Sequence, residues 1–210
     1  MKEEVLCDAK IKLIPRDASN IPWIRSRNIE FKIQRLKPKT RMYPFFDTAS
    51  VSVYCTPKVM EVIKNSTEDA RTNNIPFQVG ETVVGLLTGA RIKLMAPNNG
   101  FSYSPYDGNL LPVSYASTTG VINIDTQAMA SQVNGQFYGN PIQGEILVGL
   151  TSGARCVVKE KRLISDQSGN LTGVFFIPSP SIDANPRWGT GRRVLRFTSS
   201  SKDSRIPGDV

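Results

Sequence analysis

The chain has 210 residues, 26 Lys+Arg against 18 Asp+Glu for a net charge of +8, 40% apolar residues and no histidine. A chain of this length buries a core without staples, its apolar share excludes wholesale disorder, and the lack of His removes the commonest general base and the commonest metal ligand. Cys7, Cys55 and Cys156 are an odd set, far apart and without a C-x-x-C, which argues against a disulfide framework or zinc site and fits folding in a reducing cytoplasm.

The start, Met1-Lys2-Glu3-Glu4, is acidic where a signal peptide is basic, and no run of about 18 apolar residues occurs. The expectation is a protein neither exported by that route nor spanning a membrane. With 16 Gly, 14 Pro and abundant Ser, Thr and Asn, punctuation recurs at a spacing that suits short strands, and the expected class is all-β.

In chain order, residues 1–23 read as an arm, in which Ile11, Leu13 and Ile14 are interrupted by Pro15, Asp17 and Pro22. It covers an edge of its own sheet or reaches a neighbour, and the sequence leaves both open. Ile29, Phe31 and Ile33 alternate with Glu30, Lys32 and Gln34, the period of a strand with one buried face. Pro38 marks a corner, a second apolar run reaches Tyr43, Phe45 and Phe46, and Val51-Ser52-Val53-Tyr54-Cys55 alternates as a third short strand. Pro57 with Val59, Val62 and Ile63 spaced as on one helical face predicts a short helix over 57–64. Trp23 and Trp188 sit near prolines at the margins of β runs and are read as core or rim packing, with an interface anchor as the alternative.

The chain then repeats itself. Gly80-Glu81, Gly85 and Gly89-Ala90-Arg91 recur as Gly144-Glu145, Gly149 and Gly153-Ala154-Arg155. Each copy predicts a β-hairpin, with Gly89 or Gly153 supplying the positive φ of the turn. Gly85 and Gly149, inside the first strand of each hairpin, predict a bulge or a close backbone approach. A recognition role for the shared Glu and Arg is the alternative to structural use, which is favoured. Tyr103, Tyr106 and Tyr115 lie between the copies, where a sugar- or base-binding loop competes with ordinary loop packing. Asp166-x-Ser168-x-Asn170 has the start of a calcium loop, but Gly169 is misplaced and the closing Glu is missing, so a turn is expected. Beyond Val174-Phe175-Phe176-Ile177 and Arg193-Val194-Leu195-Arg196-Phe197-Thr198, residues 199–210 read as a tail or linker.

Seven or so short alternating strands predict an immunoglobulin-like β-sandwich from 24–72 and 159–198, with an inserted subdomain, 73–158, of two repeated small β units. Arg25, Arg27, Lys32, Arg35, Lys37, Lys39 and Arg41 form a cationic stretch suited to an acidic neighbour or, less well, to nucleic acid, because no groove-reading helix or aromatic pair accompanies it. The plain reading of that stretch is a solvated strand face. No P-loop, nucleophile elbow, His-based triad or nominable carboxylate pair is present. No catalytic, cofactor-binding or metal-ligating residue is therefore assigned, and no cofactor is expected.

Several of these segments resemble a module of tailed-phage virion proteins. They are Arg25-Ser26-Arg27, the Leu36-Lys37-Pro38-Lys39-Thr40-Arg41 turn leading to Tyr43-Pro44-Phe45-Phe46-Asp47, and Tyr54-Cys55. The later segments are Ser165-Asp166-Gln167-Ser168-Gly169-Asn170-Leu171, Gly173-Val174-Phe175-Phe176-Ile177-Pro178 and the run from Gly189 to Thr198. The members in question are baseplate wedge and tail-fibre structural proteins of contractile-tailed phages, including those of cyanobacteria. Thr48 stands where a turn Gly is usual, and more than a hundred residues separate the two halves. The resemblance implies a non-enzymatic virion tail component, assembled in the host cytoplasm, with other tail or baseplate proteins and its own copies as partners. The alternative is a carbohydrate-binding or nucleic-acid-binding β module.

Overall fold

A computed structural model describes residues 7–11, 22–131 and 136–203. The chain is nearly all β. Its strands are β1 (Cys7–Ile11), β2 (Arg27–Ile33), β3 (Arg41–Phe46), β4 (Ala49–Ser50), β5 (Cys55–Pro57), β6 (Val59–Ile63), β7 (Thr82–Gly85), β8 (Arg91–Met95), β9 (Val121–Ile124), β10 (Ile146–Gly149), β11 (Arg155–Val158), β12 (Leu163–Ile164), β13 (Leu171–Ile177) and β14 (Arg193–Thr198). The one α-helix among the described residues is α1 (Thr126–Ala130), capped at its start by the Asp125 carboxylate accepting from the Ala128 N–H.

Two sheets face each other across one core. The order β1-β14-β3-β12, with β4 beside β3, makes the first, and β2-β13-β5 the second. Phe31 and Ile33 from β2 and Phe175 and Ile177 from β13 meet Phe46 of β3 and Leu195 and Phe197 of β14. The Phe31 and Phe197 rings stand 4.7 Å apart, and Trp188 lies edge-on to Phe46 at 5.2 Å. Fully burying such side chains stabilises by about 1.5–3 kcal/mol each. Trp188 is thus packing, as expected, while Trp23 is more exposed and bridges Gly189.

The expected immunoglobulin-like order is not what these pairings form. Immunoglobulin sheets contain hairpins of consecutive strands. Here, apart from β3 with β4, no strands adjacent in the chain pair within these two sheets. Each link crosses from one sheet to the other, so the bent unit β2–corner–β3 pairs as a whole with the bent unit β13–link–β14. Ile33 lies opposite Leu171 and Phe46 opposite Leu195. The corner is clamped by the turn between β12 and β13, where the Leu36 N–H donates to Gly169 O at 2.9 Å and the Ser165 hydroxyl donates to Lys37 O at 2.6 Å. Gly169, with φ of 74°, is required there, since a Cβ would stand 2.1 Å from Leu36 O.

Six strands, in the order β10-β11-β6-β9-β8-β7, close into an antiparallel barrel. Its interior holds Met60, Val62, Val83, Ile92, Leu94, Ile122, Ile124, Leu147, Cys156 and Val158. The barrel includes β6, which lies in the segment expected to belong to the sandwich and was expected to be helical. The helix predicted over 57–64 is a correction: Val59–Glu61 pair with β9 and Val62–Ile63 with β11. Residues buried on both faces of a strand mimic helical spacing, and the two ladders decide the outcome. The third predicted strand is likewise a 3-10 turn at Ser52–Tyr54 followed by β5, because the chain must there pass between sheets.

The β2-β13-β5 sheet is a middle layer between the five-stranded sheet and the barrel. Val174 of β13 belongs to the barrel's core while its neighbour Phe175 belongs to the two-sheet core. Asn28 exchanges two hydrogen bonds with the Gly139 backbone, at 2.8 and 2.9 Å, and Glu30 accepts from the Thr126 hydroxyl at 2.6 Å. Strand β1 pairs antiparallel with β14 from Cys7↔Phe197 to Ile11↔Arg193, so part of the predicted arm covers an edge of its own sheet. The rest of that arm, 1–6 and 12–21, and the tail residues 204–210 lie outside the described residues.

Candidate functional site

The most organised polar site is built from the two repeats. Strands β7 and β10 run antiparallel side by side, with Val84 opposite Val148 and Gly85 opposite Leu147. Each repeat's glutamate lies just before its strand, and in that register it sits beside the other repeat's turn. Glu145, 0% exposed, accepts hydrogen bonds from the Leu87 N–H at 2.9 Å, the Thr88 N–H at 2.7 Å, the Thr88 hydroxyl at 2.9 Å and its own Ile142 N–H at 2.9 Å. Glu81 does the reciprocal, accepting from the Thr151 N–H at 3.2 Å, the Ser152 N–H at 3.0 Å, the Ser152 hydroxyl at 2.9 Å and the Gln78 N–H at 2.6 Å.

A buried carboxylate is tolerable only when such donors surround it, and here each closes the other hairpin's loop. Gly85 and Gly149 are explained by the same exchange. A Cβ on Gly85 would stand 2.4 Å from Glu145 Oε1, and one on Gly149 would stand 2.5 Å from Glu81 Oε2. Close approach, of the two readings open from sequence, is therefore the reason for these glycines. Gly89 and Gly153 hold the turns at φ of 69° and 71°, as predicted. The shared arginines take no part: Arg91 and Arg155 are exposed on the barrel's outer surface.

The tyrosines between the repeats divide. Tyr106 donates to Val59 O at 2.6 Å beneath the Arg162 guanidinium, and Tyr115 donates to Met95 O at 2.8 Å and accepts from the Asn123 N–H at 3.0 Å. Burial raises both phenols above their ordinary range. They hold loops to the barrel, and Tyr103 alone of the three is exposed. Beside Tyr106 an open cleft of about 320 Å³ is lined by Glu61, Lys159, Arg162, Asp107 and Asn109 among others. Glu61 is already paired with Arg162 and lies 3.9 Å from the Lys159 ammonium.

A polar cluster found by no sequence signal centres on Lys161, whose ammonium donates to Asn140 Oδ1 at 2.6 Å and Val53 O at 2.9 Å. Burial pushes this amine down to about 7, partly opposed by the nearby Cys55 and Glu145. Cys55 and Cys156 are free and buried, and burial pushes each thiol up to about 12. A thiol so hard to ionise is a poor nucleophile, and both side chains act as small apolar core groups.

The cationic stretch is dispersed rather than gathered. Arg41 pairs with Glu160 and Lys32 with Glu30 at 3.2 Å, while Arg35, Lys37 and Lys39 are exposed around the corner and Arg25 is exposed before the start of β2. Asp166 forms a turn, accepting from the Ser168 and Asn170 N–H groups at 2.8 Å each. Among the described residues no group of three or more His, Cys, Asp or Glu side chains is placed to hold a metal ion, and no helix is long and apolar enough to cross a membrane.

These features define an all-β protein in which a two-sheet unit carries a pseudo-symmetric six-stranded barrel. No family model, curated protein or solved structure matches the chain.

Proposed function

We propose that this chain is a non-enzymatic structural protein of a phage virion, a baseplate or tail-fibre attachment component that works by shape-specific association. Its partners are other tail or baseplate proteins and its own copies, met through the arm, the edge strands and the C-terminal tail. One observation supports this reading above the rest. The two stretches that carry the resemblance, 24–55 and 163–198, are far apart in the chain yet pair strand for strand, β2 with β13 and β3 with β14, and the corner of one is clamped by the turn of the other. Segments that resemble one module and fold as one unit are what a discontinuous module requires. The glycan-binding alternative loses its main support, since Tyr106 and Tyr115 are spent on internal hydrogen bonds.

The test is mass spectrometry with lysine cross-linking on purified particles from cells that express the gene. Stoichiometric presence with cross-links to tail proteins is the expected result. Absence from intact particles overturns the reading and sends the question to glycan arrays and salt-dependent nucleic-acid binding.

A further inference from the structure

Among the described residues, the barrel's outer surface carries an apolar ribbon on β7 and β10 that is partly open to solvent. In β7 and β10, Val83, Gly85, Leu147 and Gly149 are buried, so by strand alternation Val84, Leu86, Ile146, Val148 and Leu150 face outward. Leu86 is 56% exposed, Leu150 55% and the adjoining tip residue Leu87 72%. Both strands pack chiefly on each other and on β8 and β11, while α1 and the middle sheet lie elsewhere on the barrel. The pairing registers add a charge pattern. Arg91 is opposite Val84, Val84 opposite Val148, and Val148 opposite Arg155, so one row across four strands reads Arg–Val–Val–Arg.

We propose that this ribbon is a docking surface for a partner protein that presents an apolar strip flanked by two carboxylates. The inference rests on the assembly reading above and assigns it a surface and a partner chemistry. The apolar centre supplies a contact that water disfavours, and the arginines select the sign of the rim. The carboxylates that the two hairpins contain, Glu81 and Glu145, are consumed in the turns and cannot neutralise that rim. A second copy is disfavoured as the occupant, because face-to-face pairing would bring four arginines together in chains that each carry +8. Three inter-strand steps separate the two arginines, about 14 Å along the sheet. An extended segment spans that distance in about four residues, which places the matching carboxylates at i and i+4 on one face with an apolar residue between them.

The probe is a fluorescent peptide containing Glu-Thr-Val-Thr-Glu, compared with its Lys-Thr-Val-Thr-Lys counterpart, titrated with the full chain at low and high salt. The glutamate peptide should bind, weaken with salt, and lose about tenfold or more in affinity to the Leu86→Asp/Leu150→Asp chain. Arg91→Gln/Arg155→Gln should weaken the same peptide while keeping the circular dichroism of the parent. Equal binding of both peptides, no binding of either, or indifference to these substitutions overturns the proposal. So does a concentration-dependent dimer, seen by light scattering, that Leu86→Asp/Leu150→Asp dissolves. Because no particle is involved, failure here leaves the virion reading standing, and absence of the chain from particles leaves the peptide result interpretable.

Discussion

The two Gly-Glu hairpins share a backbone and differ in what holds them. Gly80 N–H to Leu94 O and Gly144 N–H to Val158 O are both 2.8 Å, and the turn-closing bonds Gly85 N–H to Ala90 O and Gly149 N–H to Ala154 O are both 2.9 Å. Inside the barrel the equivalents Val83 and Leu147, Ile92 and Cys156, and Leu94 and Val158 exchange sizes around one core. Outside it the symmetry ends. Arg91 exchanges two backbone hydrogen bonds with Tyr138, at 2.8 and 3.0 Å, which ties the first hairpin to the segment packed on the middle sheet. At the second hairpin that place is taken by one side chain, Asn73, whose amide oxygen accepts from the Arg155 N–H at 3.0 Å and whose nitrogen donates to Gly153 O at 3.1 Å. The repeat therefore carries its own local folding instructions, while its anchorage comes from whatever the rest of the chain places beside it.

The strongest way to break this comparison is to remove a glutamate. Glu145→Ala leaves three part-buried N–H donors and a hydroxyl without their charged acceptor and should cost about 3–5 kcal/mol in denaturant unfolding. Glu81→Ala should cost the same within about 1 kcal/mol if the two exchanges are equivalent. A large inequality would show that one turn governs the barrel.

Gly85→Ala and Gly149→Ala come next, at about 2–3 kcal/mol each, because the new Cβ overlaps the opposite carboxylate. A double-mutant cycle sharpens the point. In the Glu145→Ala background Gly85→Ala should lose most of its cost, whereas Gly149→Ala should keep it. Additive effects would deny the exchange.

Asn73→Ala should cost about 1–2 kcal/mol. It should also speed amide hydrogen exchange in residues 153–156 while leaving 89–92 as they were. Equal acceleration of both hairpins would contradict their separate anchorage.

The last test is a pH dependence. Lys161, ordinarily near 10.5, is held at about 7 in the fold. Between those values the unfolded chain binds a proton that the folded chain has shed, so stability rises with pH. The thiols Cys55 and Cys156, ordinarily near 9 and pushed up to about 12, act oppositely. Above pH 9 the unfolded chain loses protons that the folded chain retains, and stability falls. The denaturation midpoint should climb from neutrality, peak near pH 9 and decline, and Lys161→Met should flatten the climbing limb. A midpoint that falls steadily from pH 7 would refute the assignment.

Much of this architecture was legible in the residues. Ile29-Glu30-Phe31-Lys32-Ile33 announced β2 by alternation, Gly89 and Gly153 announced two turns by their need for positive φ, and the recurrence of Gly-Glu and Gly-Ala-Arg announced two like hairpins. These are local properties, set by side-chain period and backbone sterics within a few residues.

What only the tertiary structure decided concerns pairs distant in the chain. Val59, Val62 and Ile63 carry a helical spacing but lie in a strand, because β9 and β11 offer hydrogen bonds on both sides. Glu81 and Glu145 serve each other's turns rather than their own arginines, because the antiparallel register of β7 and β10 sets each beside the opposite loop. The two-sheet unit is wound by alternating sheets, an order that no local pattern encodes. A sequence states which backbone conformation each stretch favours. Which stretch satisfies a buried carboxylate or a strand edge depends on what the closed barrel and the paired corners bring within a hydrogen bond's reach.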